Sequence, residues 1–403
     1  MRPPPYARSG LRCAAVLWFA LVGITVAAAS LPLPSRDDEV VEVLPAITRT
    51  RPVPVAAAVT AKPAVHDPRV AASVAREAIS TARRTGDARY WGRAETALEP
   101  WWNKADAPVE IMMLQATVQQ GLHAFTDAHA VLSAALRRAP NHAQILLTLA
   151  SLERLAARYP QALMACDAVG RAGQALYAQA CRWETVSMQG QHDVARTGLA
   201  ALVVQAGSVE QRGWILSLQA EAEERAGRDA AAQRAYKASL AIDRDLYTAI
   251  AYGDLLLRTG DAAGARAALE GLPETDAVLL RRAAALRRLN DSQWRALRDE
   301  LRARESALDR RGDDLTLHDR ERALLALWLD DAPVRALDQA LRNLTLQREP
   351  LDWWIAMQSA RAAGDTAAFA KLAGMLRDAG LKDLRLQKLA PLQQPPQLQS
   401  AAR

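Results

Sequence analysis

The sequence predicts an all-α solenoid of about nine helical hairpins, and three observations predict it. Residues 109–142 are followed without a gap by residues 143–176, which repeat the same pattern. Ala116 recurs as Ala150 and Ala128 recurs as Ala162, both after 34 residues, a period that is typical of stacked helix pairs. Ala, Leu and Arg, which have high helix propensity, dominate the chain. Because each repeat packs only on its neighbours, 403 residues need no separate globular domains.

Small residues recur in both helices of the predicted hairpins, where close helix packing leaves no room for a bulky side chain. In the second helices they are Ala128, Ala162, Ala195, Ala232 and Ala265. In the first helices they are Ala116, Ala150, a blurred position between Cys181 and Trp183, Ala220 and Gly253.

The hairpin pattern divides the chain into two parts. Residues 69–272 carry regular repeats, whose turns contain glycines such as Gly86, Gly227 and Gly260. After Pro273 the phase weakens, and residues 273–380 are predicted to form degenerate hairpins. Residues 381–403 read as a C-terminal tail that is mostly disordered after 390, since periodicity is lost there.

The first 29 residues read as an export segment. Arg2, Arg8 and Arg12 precede an apolar run, and Ala27 to Ala29 offer a cleavage site of the A-x-A type. The alternative is an uncleaved inner-membrane anchor; either way the charges place the rest of the chain on the periplasmic side. A cytoplasm-facing chain would need the opposite orientation. Residues 30–68 are rich in proline and are predicted to be an extended linker.

The charge of the chain gives no indication of nucleic-acid binding. The net charge of +6 includes three arginines of the export segment. The arginine-rich stretch 281–311 also contains acids, so it reads as a solvated helix face with paired charges. An acidic peptide or lipid head group bound there is the alternative.

The repeats resemble the tetratricopeptide repeat family over roughly residues 70–380. The resemblance rests on Ala at the eighth and twentieth positions of the unit, Phe125 and Tyr159 at the seventeenth, and Pro140 near its end. More narrowly, DDEVVEVLP followed by ARRTGDARYWGRAETALEPWW resembles the opening of a group of bacterial exported tetratricopeptide proteins without an established role. Several units lack the large aromatic residues of the family's first helix, which argues against its usual ligand pocket.

This resemblance implies a right-handed superhelix whose concave groove binds peptides or proteins, without catalytic residues or cofactors. The first helices would line the groove, and their mixed polar and apolar side chains would suit a peptide. The residues expected to line it are Met113, Thr117, Gln120, Leu147, Ser151, Arg154, Ser217, Glu221, Glu224, Ile250, Asp254 and Leu257. For each of them the alternative is plain solvated surface.

Cys166 and Cys181 are predicted to lie on helices that pack together. In an exported chain, an even number of thiols after Cys13 is set aside favours a disulfide. Two free buried thiols are the alternative.

Two tryptophan pairs, Trp101 with Trp102 and Trp353 with Trp354, are candidate contacts for a partner. Neighbouring positions on a helix point about 100° apart, so both rings of a pair can hardly face one core. One of each is expected at the surface, unless both wedge between helices.

No metal or nucleotide site is predicted. The histidines form no HxxxH or HExxH pair, and CxxC, GxxxxGK[ST], GxGxxG and GxSxG are absent from the sequence. The sequence therefore favours a non-enzymatic interaction scaffold in the cell envelope with a protein or peptide partner. The alternative is the helical, substrate-guiding module of an envelope enzyme or assembly complex, which would need a globular catalytic module in addition.

Overall fold

The computed structural model describes residues 67–389, which form helices and no strands. Successive helices pair into antiparallel hairpins. The helices of the first five hairpins are α1 (Pro68–Thr85), α2 (Arg89–Leu98), α3 (Val109–Gly121), α4 (Phe125–Arg138), α5 (Ala143–Leu155), α6 (Tyr159–Arg171), α7 (Ala175–Met188), α8 (His192–Gln205), α9 (Val209–Arg225) and α10 (Asp229–Leu240).

Four further hairpins follow. Their helices are α11 (Leu246–Thr259), α12 (Ala262–Ala268), α13 (Asp276–Arg288), α14 (Trp294–Arg311), α15 (Asp319–Trp328), α16 (Pro333–Leu346), α17 (Pro350–Ala362) and α18 (Thr366–Ala379). A short α19 (Leu384–Gln387) ends the described chain, and 3-10 turns occupy Glu99–Trp101 and Leu315–His318. The prediction of an all-α chain of repeated hairpins is confirmed for residues 67–389.

Helix ends are set by side chains that satisfy free backbone groups. Ser208 and Thr275 accept hydrogen bonds of 3.2 Å from the backbone amides that lie three residues further on, as N-cap residues do. Gly86 and Gly260 end α1 and α11 with φ of 67° and 90°, a left-handed conformation that favours glycine. The turns inferred from the sequence therefore have a local cause.

The recurring small residues lie where helices touch. Ala116, Ala128, Ala150, Ala162, Ala195, Ala220, Ala232 and Ala265 all have no exposed surface. At Gly253 a Cβ atom would lie 3.3 Å from the side chain of Leu269. At the blurred position of the fourth hairpin, Ala180 is the fully buried small residue.

The predicted export segment 1–29, and all of the linker 30–68 except its last two residues, lie outside the described residues. Among the helices of residues 67–389, none combines the length and the apolar character needed to cross a bilayer.

The solenoid closes on itself, because the turns of early hairpins contact late segments. The amide of Arg348 donates to the carbonyl of Leu155 at 2.8 Å, and the amide of Lys382 donates to the carbonyl of Met188 at 2.7 Å. Helix α1 also contacts α11. The chain's own C-terminal hairpins therefore cover the inner face. The sequence had led us to expect an open groove there.

Residues 381–389 are part of this closure. Leu381 and Leu386 are buried, and Asp383 caps α19 by accepting a 2.9 Å hydrogen bond from the amide of Arg385. Helix α19 packs on α9 and α17. The predicted tail thus begins with a folded segment, because its leucines find an apolar surface on distant helices.

Candidate functional site

The inner face of the solenoid encloses a cavity of about 300 Å³, named here the interior chamber. Side chains of α7, α9, α10, α11, α13, α15, α17 and α19 form its wall. The charged lining residues are Glu184, Glu221, Glu224, Arg225, Asp254, Arg258, Arg281, Arg288, Arg320, Glu321, Glu349 and Arg385. The aromatic and aliphatic ones are Met188, Tyr236, Tyr247, Ile250, Ala251, Ala277, Trp328, Pro350, Leu351 and Trp354.

Helical spacing explains why these residues converge. Glu221, Glu224 and Arg225 stand three and four residues apart and so share one face of α9. Tyr247, Ile250, Ala251, Asp254 and Arg258 repeat this spacing on α11. Neighbouring first helices of successive hairpins thus present parallel rows of polar side chains to the same space.

Two arginines of the wall are held by pairs of hydrogen bonds. Arg281 contacts both carboxylate oxygens of Asp254 at 2.8 Å. Arg320 contacts those of Asp352 at 2.7 and 2.8 Å, and its Nη2 also lies 2.6 Å from Glu349. Such forked pairs fix the planes of the guanidinium groups, so both are rigid parts of the wall.

Glu224 joins three segments of the chain. It accepts a 2.9 Å hydrogen bond from the hydroxyl of Tyr236, and its carboxylate lies 3.0 Å from both Arg258 and Arg385. Arg385 belongs to α19 and is itself oriented by Asp383 at 2.6 Å. This carboxylate therefore ties the C-terminal segment to α9 and α11.

Glu221 is the acid of the chamber whose pKa changes most clearly. Burial raises its pKa from 4.5 to about 7, and Glu184 and Glu349 raise it further. Arg225 and a 2.9 Å hydrogen bond from Tyr247 lower it, but Arg225 stays 3.5 Å away because it is bound mainly to Ser187. Near neutral pH about half of the Glu221 carboxyl groups are protonated.

A second cavity of about 690 Å³ lies beside the chamber, between the turn after α1 and helices α13 to α15. Arg320 and Glu321 line both cavities. His123 and His318 contact each other there with ring centroids 6.3 Å apart. Nδ1 of His123 is buried without a hydrogen-bond partner, and burial lowers the pKa of this histidine.

The twelve residues that were expected to line a groove lie in different places in the structure. Glu221, Glu224, Ile250 and Asp254 line the chamber, and Arg154 lies behind it, 2.9 Å from Glu184. Two expectations are wrong: Ser217 and Leu257 are buried in helix packing, where Ser217 accepts a 3.0 Å hydrogen bond from Thr248.

The other five residues lie away from the chamber on α3 and α5. They are Met113, Thr117, Gln120, Leu147 and Ser151, all at least partly exposed. The chamber forms where the late hairpins close over α7 to α13, so the earlier first helices do not reach it.

Apart from Trp354, sequence reasoning missed the half of the wall that comes from the late hairpins. Arg281, Arg320, Trp328 and Arg385 belong to this half. Arg281 lies on the first helix of its hairpin, as Asp254 does, so extending the register beyond Pro273 would have found it. Arg385 follows the last hairpin, and no repeat pattern indicates its position.

The tryptophan pairs behave differently from each other. Trp353 is buried, with its Nε1 donating to the carbonyl of Arg348 at 3.2 Å, so it is not a surface contact. Trp354 is half-buried, lines the chamber and meets Trp328 edge to face at 6.2 Å. Trp101 and Trp102 are both half-buried against the core of the first hairpins.

Cys166 and Cys181 lie on α6 and α7 with their Cα atoms 5.6 Å apart, and the structure records a bond between their sulfur atoms. This Cα separation lies within the usual range for a disulfide. Oxidation of the pair in the cell stays a prediction.

Comparison with solved structures finds tetratricopeptide repeat proteins. No family model and no curated protein matches the chain. A tetratricopeptide repeat protein from Parabacteroides merdae is 11% identical, with a TM-score of 0.30, over 71% of this chain and 99% of that one. The tetratricopeptide repeat domain of P58(IPK) is 12% identical, with a TM-score of 0.21, over 74% of this chain and 98% of that one. Both are tetratricopeptide repeat proteins, the family that the sequence resembles, and neither indicates what this chain binds.

Proposed function

We propose that this tetratricopeptide-like chain is a non-enzymatic scaffold that binds a protein or peptide partner through its interior chamber. The chamber is the observation that carries the proposal. It brings charged, aromatic and aliphatic side chains from eight helices to one concave site. Binding pockets are concave and combine apolar surface with polar groups that fix the orientation of a ligand.

The size of the chamber limits how a partner engages it. About 300 Å³ lies at the lower end of the range for ligand pockets. It has room for one inserted side chain or chain end and none for an extended peptide. The partner would therefore dock on the rim and insert a single group, with Tyr247, which is 63% exposed, at the entrance.

Photo-crosslinking in the native cells tests this proposal. A benzophenone amino acid would replace Leu351 in the chamber wall or, as the matched control, Met164, which is 69% exposed on α6. We expect a discrete crosslinked protein from position 351 and none from position 164. The same adducts from both positions, or none from 351, would contradict the proposal.

We further propose that the scaffold acts on the periplasmic side of the bacterial cell envelope, held at the inner membrane if the export segment is uncleaved. The support is the order of charges around the apolar run of residues 13–29. A C-terminal fusion to an enzyme that is active only in the periplasm should be active. A silent fusion with a folded reporter would refute this location.

A further inference from the structure

We infer that the interior chamber accepts a cationic group, an alkylammonium or a guanidinium, beside Glu221, Tyr247 and Trp354. This inference rests on the proposed function, because it names the chemistry of the group that the partner inserts.

The guanidinium groups of the wall are already occupied by acceptors of the chain itself. Arg281 and Arg320 are held by forked pairs with carboxylates. Arg225 donates to Ser187 at 3.0 and 2.8 Å, and Arg288 donates to the carbonyl of Leu257. At Arg281 or Arg320 an anionic ligand would have to displace a carboxylate in a buried setting, where unpaired charges are costly.

The carboxyl groups, in contrast, outnumber the guanidinium groups that pair with them. The wall carries six guanidinium and six carboxyl groups. The ion-pair partners directly behind it add Arg154 on one side and Asp229, Asp352 and Asp383 on the other. Carboxyls therefore outnumber guanidiniums by two, and one or two positive charges from a ligand would balance them.

Two acids of the wall are the most weakly paired. Glu321 lines the chamber and has no ion-pair partner within residues 67–389. Glu221 has one ion-pair partner, Arg225, which lies 3.5 Å away and donates mainly to Ser187. Both favour the addition of a cation, because a carboxylate with little access to water is stabilised by an opposite charge within about 4–6 Å.

Aromatic rings complete the surroundings of the cation. Tyr247 and Trp354 line the same cavity as Glu221, and Trp328 packs edge to face with Trp354. The faces of aromatic rings attract ammonium and guanidinium groups, most strongly when water is excluded. The exposed ring of Tyr247 and the 40% exposed side chain of Glu349 show that this part of the wall reaches solvent.

Binding of a cation here is linked to proton release. The groups that face Glu221 are Arg225 on α9, Glu184 on α7, Tyr247 on α11 and Glu349 at the start of α17. Because the pKa of Glu221 is about 7, its carboxyl must lose a proton before it can pair with a cation. Affinity should therefore rise about tenfold between pH 6 and pH 8.

Isothermal titration calorimetry on the folded chain tests the inference. The probes are spermidine, the neutral-ended peptide acetyl-Gly-Arg-Gly-amide and its counterpart acetyl-Gly-Glu-Gly-amide. We expect at least one cationic probe to bind and the acidic peptide not to bind. Glu221→Gln should weaken binding about tenfold and remove its pH dependence, since loss of a charged partner typically has an effect of this size.

Two further variants make the result specific. Glu210→Gln is the matched control. Glu210 lies on α9, as Glu221 does, but it is exposed and outside the chamber, so the same change of side chain should leave binding unaltered. Glu321→Gln, which has no ion pair to lose among the described residues, should weaken binding as Glu221→Gln does. Equal affinities of wild type and both chamber variants, or a preference for the acidic peptide, would overturn the inference.

The outcomes also separate this inference from the proposed function. Binding of spermidine alone would indicate a free amine as the source of the cation, and binding of the arginine peptide would indicate a partner's side chain. Crosslinks from position 351 without binding of either cationic probe would refute the cation and leave the scaffold. Cation binding without crosslinks would refute the scaffold.

Discussion

The hydroxyl of Tyr247 donates a hydrogen bond of 2.9 Å to the carboxyl of Glu221, and so joins α11 to α9 at the entrance of the interior chamber. This bond favours the ionised carboxylate, but burial outweighs it and the pKa of Glu221 stays near 7. The negative charge of Glu221 in turn raises the pKa of Tyr247 well above 10. A cation bound beside these two groups would stabilise the ionised carboxylate and offset the cost of its burial.

The stability of the free chain should depend on the ionisation of Glu221. Its pKa is about 7 when folded and ordinarily 4.5, so the folded state holds the proton more tightly than the unfolded state. The stabilisation is complete below pH 4.5 and is lost as pH rises to about 7. Between pH 5 and pH 7.5 the free energy of unfolding of wild type should fall by about 1–3 kcal/mol relative to that of Glu221→Gln. Urea unfolding of both proteins at the two pH values measures this difference. A constant difference between the two proteins would contradict the burial of this carboxyl.

One pair of glycine substitutions should have opposite effects. Gly198 on α8 lies against the indole of Trp183, and a Cβ atom there would sit 2.4 Å from the ring. Gly198→Ala should therefore destabilise the fold by about 1–3 kcal/mol, as overpacking does. Gly92 on α2 has no atom within 4 Å of such a Cβ, so Gly92→Ala should stabilise it by about 0.5–1 kcal/mol. Denaturant unfolding of the two variants measures both effects, and equal signs would contradict this packing.

In denaturant, where buried thiols become accessible, Cys166 and Cys181 should resist alkylation until the protein is reduced. The chain-entropy relation gives about 3 kcal/mol for a crosslink that spans 15 residues. Dithiothreitol should lower the unfolding free energy of wild type by about this amount and leave the double variant Cys166→Ala, Cys181→Ala unchanged. Mass spectrometry of unreduced periplasmic protein that shows both thiols alkylated would refute the disulfide.

The C-terminal segment 381–389 should contribute to global stability. Leu386 is a buried residue of α19, and Leu386→Ala should lower the unfolding free energy by about 2–4 kcal/mol. Leu341→Ala is the matched control, since Leu341 is 37% exposed on α16 and should change stability by well under half as much. If the two variants unfold at the same denaturant concentration, α19 is not docked as described.

The fold was predictable because it depends on local and nearest-neighbour features. Ala116, Ala150 and their equivalents recur with the repeat, and glycines such as Gly260 end helices by their own conformation. The binding site was predictable only in part. Glu221 and Asp254 follow from the register of first helices, whereas Arg320 and Arg385 reach the chamber because the solenoid closes on itself. That closure is set by contacts between distant segments, such as Arg348 with Leu155, which leave no periodic pattern in the sequence.

The most direct test of the chamber as the binding site is to fill it. Ala251 lines the chamber on α11, and Ala251→Phe would occupy part of its volume. Photo-crosslinking from position 351 should then lose its discrete adduct while the melting temperature of the variant stays close to that of wild type. An unchanged yield of the adduct in a folded Ala251→Phe chain would show that the partner binds elsewhere.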